Sequence, residues 1–306
     1  MKGLEISRNF WEEYGRPMIE NEFAEYADRI AAGLVGHGSE CFGFDDELST
    51  DHDFDAGFCI WLTEEDEKLF GFKLFRAYSK LPQEYMGCKI KNKSIFGNSH
   101  KGVHTIPEFY SFYTGCGGAP TSAEHWLSIP SHYLAEATNG EVFWDPLGEF
   151  TSIRNEILHG MPRDVWLKKA ASAALTMAQT GQYNFSRILS RGDTASAAIT
   201  LSRFAEATLE MIFLLNRAHA PYYKWLFRAA EKLPEMRMTV ADVKRLITDK
   251  NITKQQSADL IEKICTSVID ERVLRGLCTK HGDYLEGYAY MLNNSIKDGN
   301  IRNSGI

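Results

Sequence analysis

The chain has 306 residues, 44% hydrophobic and 25% charged, which suits two domains with ordinary cores and excludes a disordered, collagen-like or coiled-coil chain. Its 34 lysines and arginines against 41 aspartates and glutamates leave a formal charge of −7, which argues against bulk nucleic-acid binding through phosphate attraction. Six cysteines (Cys41, Cys59, Cys88, Cys116, Cys265 and Cys278) form no C-x-x-C pair and read as reduced thiols rather than a disulfide framework or zinc site.

In chain order, the charged start Met1–Arg8 does not resemble a signal peptide, and no later stretch is apolar enough for a membrane span, so a soluble cytoplasmic protein is expected. Residues 5–32 carry apolar positions at helical spacing, with Gly15 and Pro17 predicting a break into two helical pieces. From Gly33 to about Phe150, short apolar runs (Gly57–Leu62, Val103–Ile106 and Glu141–Asp145) alternate with helical pieces and with turn-formers such as Asn139–Gly140, the pattern of mixed helix and sheet. After Pro162 the pattern is helical: Asp164–Gln179, Asp193–Arg217, Pro221–Lys232, Val240–Thr248, Gln255–Arg275 and Asp283–Ile296. The expected organisation is α+β, with a mixed sheet flanked by helices in residues 1–155 and an all-helical domain in residues 156–306.

The most informative segment is Gly38–Ser39, eleven residues, then Asp51-His52-Asp53-Phe54-Asp55 running into Gly57–Leu62. Read as one strand, residues 51–62 send Phe54, Phe58, Ile60 and Leu62 to one face and Asp51, Asp53 and Asp55 to the other. Carboxylates gathered on one face repel each other and call for a cation; Mg²⁺ takes such oxygen ligands and leaves positions for water and substrate phosphate. A glycine followed by serine lets the backbone approach a phosphate and offers an amide and a hydroxyl. No G-x-x-x-x-G-K-[ST] string occurs, so this is not a Walker loop.

Together these residues resemble the signature of the polymerase-β-type nucleotidyltransferase superfamily: glycine, glycine or serine, a spacer, then Asp-x-Asp. The C-terminal half (Gly181-Gln182-Tyr183-Asn184, Arg191-Gly192-Asp193, Phe213–Arg217 and Pro221–Leu226) resembles one bacterial branch, the domain of unknown function 4037, similar in layout to aminoglycoside and lincosamide nucleotidyltransferases. The resemblance implies a nucleotidyltransferase-fold domain, a nucleoside triphosphate donor, and transfer of a nucleoside monophosphate to an acceptor hydroxyl, with pyrophosphate released. It implies Mg²⁺ or Mn²⁺ held by Asp51 and Asp53, with a third carboxylate best matched by Asp145, although Glu141 and Glu149 stand nearby. The spacing Asp53-Phe54-Asp55 offers a second register for the acid pair. His37 and His52 depart from the superfamily's preference for apolar residues.

Gly38, Ser39 and Lys224 are the expected phosphate contacts, with Arg191 and Arg203 as further candidates, and Asp145, Glu206 and Glu210 are candidates for the general base. Gln182, Tyr183, Asn184 and Arg187 either line an acceptor cleft or cap two helices broken at Gly181. The His100/His104 spacing suggests a metal pair, but Gly102 between them breaks the helix that would align it. Phe109–Tyr113 reads as a buried helix face. The expected acceptor is a small molecule in a cleft between the domains. Alternatives are a catalytically silent nucleotide- or partner-binding module, and transfer to protein or RNA.

Overall fold

The computed structural model describes residues 1–46, 55–90, 101–276 and 278–305. The chain packs as two units, Met1–Thr121 with Tyr133–Gly160 and Ser122–His132 with Met161–Ile306.

The strands of the first unit are β1 (Ala31–Leu34), β2 (Cys59–Leu62), β3 (Glu84–Tyr85), β4 (Cys88–Lys89), β5 (Gly102–Thr105) and β6 (Glu141–Trp144). Four of them form a mixed sheet in the order β5-β2-β1-β6, and β3 with β4 makes a separate hairpin. Strand β1 runs antiparallel to both neighbours, pairing Gly33 with Cys59 of β2 and Leu34 with Glu141 of β6, whereas β2 and β5 are parallel. The apolar runs that mark β2, β5 and β6 in the sequence are therefore strands.

Phe58, Ile60 and Leu62 lie on one side of β2 in a buried cluster with Phe10, Trp11, Phe70 and Leu74. The other face is apolar too: Trp61 stacks on Phe150 at 3.8 Å and meets Phe109 edge-on at 5.4 Å. This corrects the expectation of one apolar and one acidic face within the described part of that segment. Helices Ile106–Thr114 and Glu149–His159 supply Phe109 and Phe150, so this strand is buried on both sides.

The first helical region also differs from expectation. Gly3–Phe10, the π-helical stretch Trp11–Gly15 and Arg16–Glu22 follow without interruption. Gly15 serves close packing rather than a break, since a Cβ there would lie 2.5 Å from the Phe58 ring. Residues 31 and 32, included in the helical reading, belong to β1.

The second unit is helical, as the spacing predicts, with Arg163–Met177, Thr194–Leu215, Tyr223–Ala230, Arg237–Thr248, Lys254–Leu274 and Leu285–Asn294 as its main elements. Asp193 accepts the Ser196 N–H to start one helix, and Thr253 with Gln256 forms a reciprocal capping box at another. Ala170, Ala174, Phe204, Ile212, Ile264 and Tyr288 belong to one core. Gly181 does not break the helix; Ala178–Phe185 continues it in π form, and a Cβ at Gly181 would meet the Phe204 ring at 2.5 Å. Among the described residues no helix is long and apolar enough to cross a membrane.

Candidate functional site

Beyond Leu34 the chain leaves the sheet in a bend that two glycines make possible: Gly36 has φ +123° and Gly38 φ +129°. Asn139 clamps the bend from the turn before β6, its side-chain oxygen accepting the Gly36 N–H and its amide donating to the Gly36 carbonyl, both at 2.8 Å. The His37 N–H donates to the Tyr113 hydroxyl at 3.1 Å. Gly140 adds a tie, donating its N–H to the Cys41 carbonyl at 2.8 Å; its φ of +59° and the nearby Leu34 carbonyl leave no room for a side chain.

Gly38 and Ser39 themselves are left open. Both are half-exposed, and among the described residues no acceptor meets either N–H or the Ser39 hydroxyl. The φ of +129° at Gly38 favours glycine there, and a Cβ would also fall 2.5 Å from the Glu40 carboxylate. Two adjacent unanswered amides with a hydroxyl beside them make a receptor for an anionic oxygen.

Behind the bend lies a buried polar frame. The Lys101 ammonium, just before β5, sits 3.1 Å from the Glu40 carboxylate and donates to the Asp55 carbonyl, with only 4% and 7% of the Lys101 and Glu40 side chains exposed. The Asp55 carboxylate accepts the Gly57 N–H at 2.7 Å. Buried Glu136 approaches the Nδ1 of the exposed His37 ring at 3.3 Å. Below, desolvation pushes the Cys59 thiol up to about 12 and holds the Cys41 thiol well above its ordinary value.

Asp51 and Asp53, with His52 and His100, lie outside the described residues. Among the described residues no group of three or more His, Cys, Asp or Glu side chains could hold a metal ion. The structure does not bring Asp145 to the bend. Because β6 is antiparallel to β1, with Trp144 opposite Ala32, Asp145 lies near the start of β1, whereas the bend follows its end. The strand between them spans roughly 10 Å. The Asp145 carboxylate instead accepts the N–H groups of Gly148 at 3.0 Å and Thr151 at 2.8 Å, securing the start of the Glu149–His159 helix. Sequence reasoning missed Glu40, Lys101, Glu136 and Tyr113 as parts of this site. The only signal for them was the proximity of Glu40 to Gly38–Ser39, and nothing local marked Lys101.

In the second unit, exposed Lys224 places its ammonium 4.8 Å from the centre of the Trp225 ring. Gln182 accepts the Leu285 N–H at 2.9 Å and donates to Glu262 and the Asp283 carbonyl, so it caps the Leu285–Asn294 helix; Arg187 lies over the Tyr183 ring. Arg203, Glu206 and Glu210 line a cavity of about 500 Å³ built entirely from this unit.

A mixed α+β unit with an open phosphate-sized bend after its first strand, joined in one chain to a helical unit, is the class of molecule these observations define. Residues 126–226, about a third of the chain, match the model of the family described as a domain of unknown function (DUF4037). No curated protein matches it. The crystal structure of a nucleotidyltransferase-like protein from Exiguobacterium sibiricum 255-15 is similar at 13% identity and a TM-score of 0.37, over 87% of this chain and 76% of that one.

Proposed function

We propose that the protein is a metal-dependent nucleotidyltransferase that moves a nucleoside monophosphate from a nucleoside triphosphate to the hydroxyl of a small acceptor, releasing pyrophosphate. The observation that carries this reading is the pair of amides at Gly38 and Ser39 that no described residue answers, followed in sequence by Asp51-His52-Asp53. The bend receives phosphate oxygens, and the frame behind it keeps it from collapsing onto its own backbone. A bend pre-shaped in this way stabilises charge without reorganising during the reaction.

The donor set suits a hard divalent ion, because Asp51 and Asp53 offer only carboxylate oxygens; these two residues would hold Mg²⁺ or Mn²⁺. A divalent ion held there would supply neutralisation of the charge that develops in an in-line displacement at phosphorus. Gly38 and Ser39 orient the triphosphate by their amides, and the Ser39 hydroxyl adds a donor. Asp145 is not assigned a role at the bend, since its carboxylate accepts the Gly148 and Thr151 N–H groups at a helix start.

The test is Mg²⁺-dependent pyrophosphate release from each of the four nucleoside triphosphates across a panel of hydroxyl acceptors, with direct measurement of nucleotide binding alongside. Turnover that disappears in Asp51→Ala and Asp53→Ala, while both variants stay folded, supports transfer. Metal–nucleotide binding without turnover over the whole panel identifies a binding module instead. Absence of nucleotide binding overturns the proposal.

A further inference from the structure

The cavity in the helical unit lies between one face of the Arg163–Met177 helix and one face of the Thr194–Leu215 helix, closed at one end by the segment 127–131 and by residues 218–220. Every residue that lines it falls within 126–226, the stretch matched by the family. The matched segment thus spans the entire cavity wall. At about 500 Å³ it falls in the size range of small-molecule sites.

Its polar lining is unusual in being balanced yet unpaired. Arg203, Glu206 and Glu210 project from one helix, at spacings of three and four residues that put them on one face. All three are exposed to solvent, and none of their side chains makes a hydrogen bond or ion pair with any described residue. Lys169, on the opposite wall, donates to the Ile129 carbonyl at 3.3 Å. Burial and the neighbouring Glu206 raise the Glu210 carboxyl above its ordinary range even with Lys169 pulling it back, and burial lowers the Lys169 ammonium. Two cations and two anions face one hollow, with Ser172 and Thr176 on the same wall as Lys169.

A ligand carrying only positive charge would be repelled by Arg203, and an anion would be repelled by both glutamates, whereas a molecule bearing both charges complements the lining. From this arrangement we infer that the helical unit binds a small zwitterion of the α-amino-acid type, its ammonium meeting Glu206 and its acid group meeting Arg203. One helical turn separates those two residues, an axial distance of roughly 4.5 Å, which suits adjacent ammonium and acid groups on one molecule. The remainder of the ligand extends toward Glu210 and Lys169, over the apolar surface of Ile129 and Phe213. This inference does not depend on nucleotidyl transfer.

The experiment uses the full chain with no nucleotide present. Thermal shift followed by calorimetry is run with the twenty L-amino acids, with O-phosphoethanolamine as the phosphate version of the same chemistry, and with the matching decarboxylated amines and deaminated acids. The expected result is saturable binding of at least one zwitterion, with the matching amine and acid each about tenfold weaker or more, a difference of about 1.4 kcal/mol. Binding should fall by a similar factor in both Arg203→Gln and Glu206→Gln while both variants keep a cooperative melt. A carboxylate ligand and a phosphate ligand are separated by which probe binds. The inference is overturned if no zwitterion binds, if an amine or acid alone binds equally well, or if the folded variants bind as the native chain does.

Discussion

Replacing Lys101 by methionine tests the buried frame behind the Gly38–Ser39 bend. The ammonium and the Glu40 carboxylate lie 3.1 Å apart, with 4% and 7% of their side chains exposed, and the same ammonium serves the Asp55 carbonyl. Methionine keeps most of the volume and removes the charge, leaving Glu40 buried without its cation. Breaking one side of a buried pair costs about 3–5 kcal/mol, far above the value of an exposed ion pair, because the remaining charge has lost both water and partner. The assay is urea unfolding followed by tryptophan fluorescence, with Trp61 one strand away from β5 as a reporter. Lys101→Met should lower stability by about 3–5 kcal/mol, and Lys101→Met combined with Glu40→Gln should recover most of the loss, since no buried charge is then stranded. A loss below about 1 kcal/mol in the single variant, or a double variant no better than the single one, would refute the reasoning. Because Glu40 directly follows Ser39, the single variant should also weaken nucleotide binding at the bend.

The remaining predictions bear on packing and on ionisation. Gly181→Ala pushes a methyl to 2.5 Å from Phe204 and 2.9 Å from Ile261, and should cost about 1–3 kcal/mol in thermal or urea unfolding without loss of helical signal. Desolvation holds Cys59 at about 12 and Cys41 well above its normal value, so in the native protein at pH 8 both should stay unmodified by a thiol-reactive disulfide while denatured protein reacts fully; rapid native labelling at either position, located by peptide mass, would contradict this. The Glu210 carboxyl is raised by burial and Glu206, so the stability linked to its protonation is fully present below the ordinary carboxylate value near about 4.3 and is lost as pH rises through its folded value. Glu210→Gln should therefore melt higher than the native chain at pH 7.5 and match it near pH 4; the opposite trend would rule out a desolvated carboxylate.

The sequence makes the helices of the second unit visible almost residue by residue because two independent signals agree there: apolar spacing, and starts marked by side chains such as Asp193 and the Thr253–Gln256 pair. Glycine is where that legibility ends. Gly15 and Gly181 read as breaks, but each is a point of close approach to an aromatic ring from another element. Composition alone does not distinguish a glycine that bends a chain from one that makes room for a neighbour.

The candidate site divides along the same line. Gly38–Ser39 is legible because its chemistry is local: a permissive backbone followed by a hydroxyl residue. The place of Asp145 could not be read in advance because it depends on strand direction, and the antiparallel pairing of β6 with β1 puts it at the far end from the bend. Lys101 was invisible for the complementary reason: its partners Glu40 and Asp55 are distant in sequence and meet it only after β5 has docked beside β2. Turn chemistry is written in neighbouring residues, whereas the charges that hold a turn in shape are set by topology. In this chain the Gly38–Ser39 bend and the buried frame behind it are therefore two layers of one candidate site, and only the first can be read before folding.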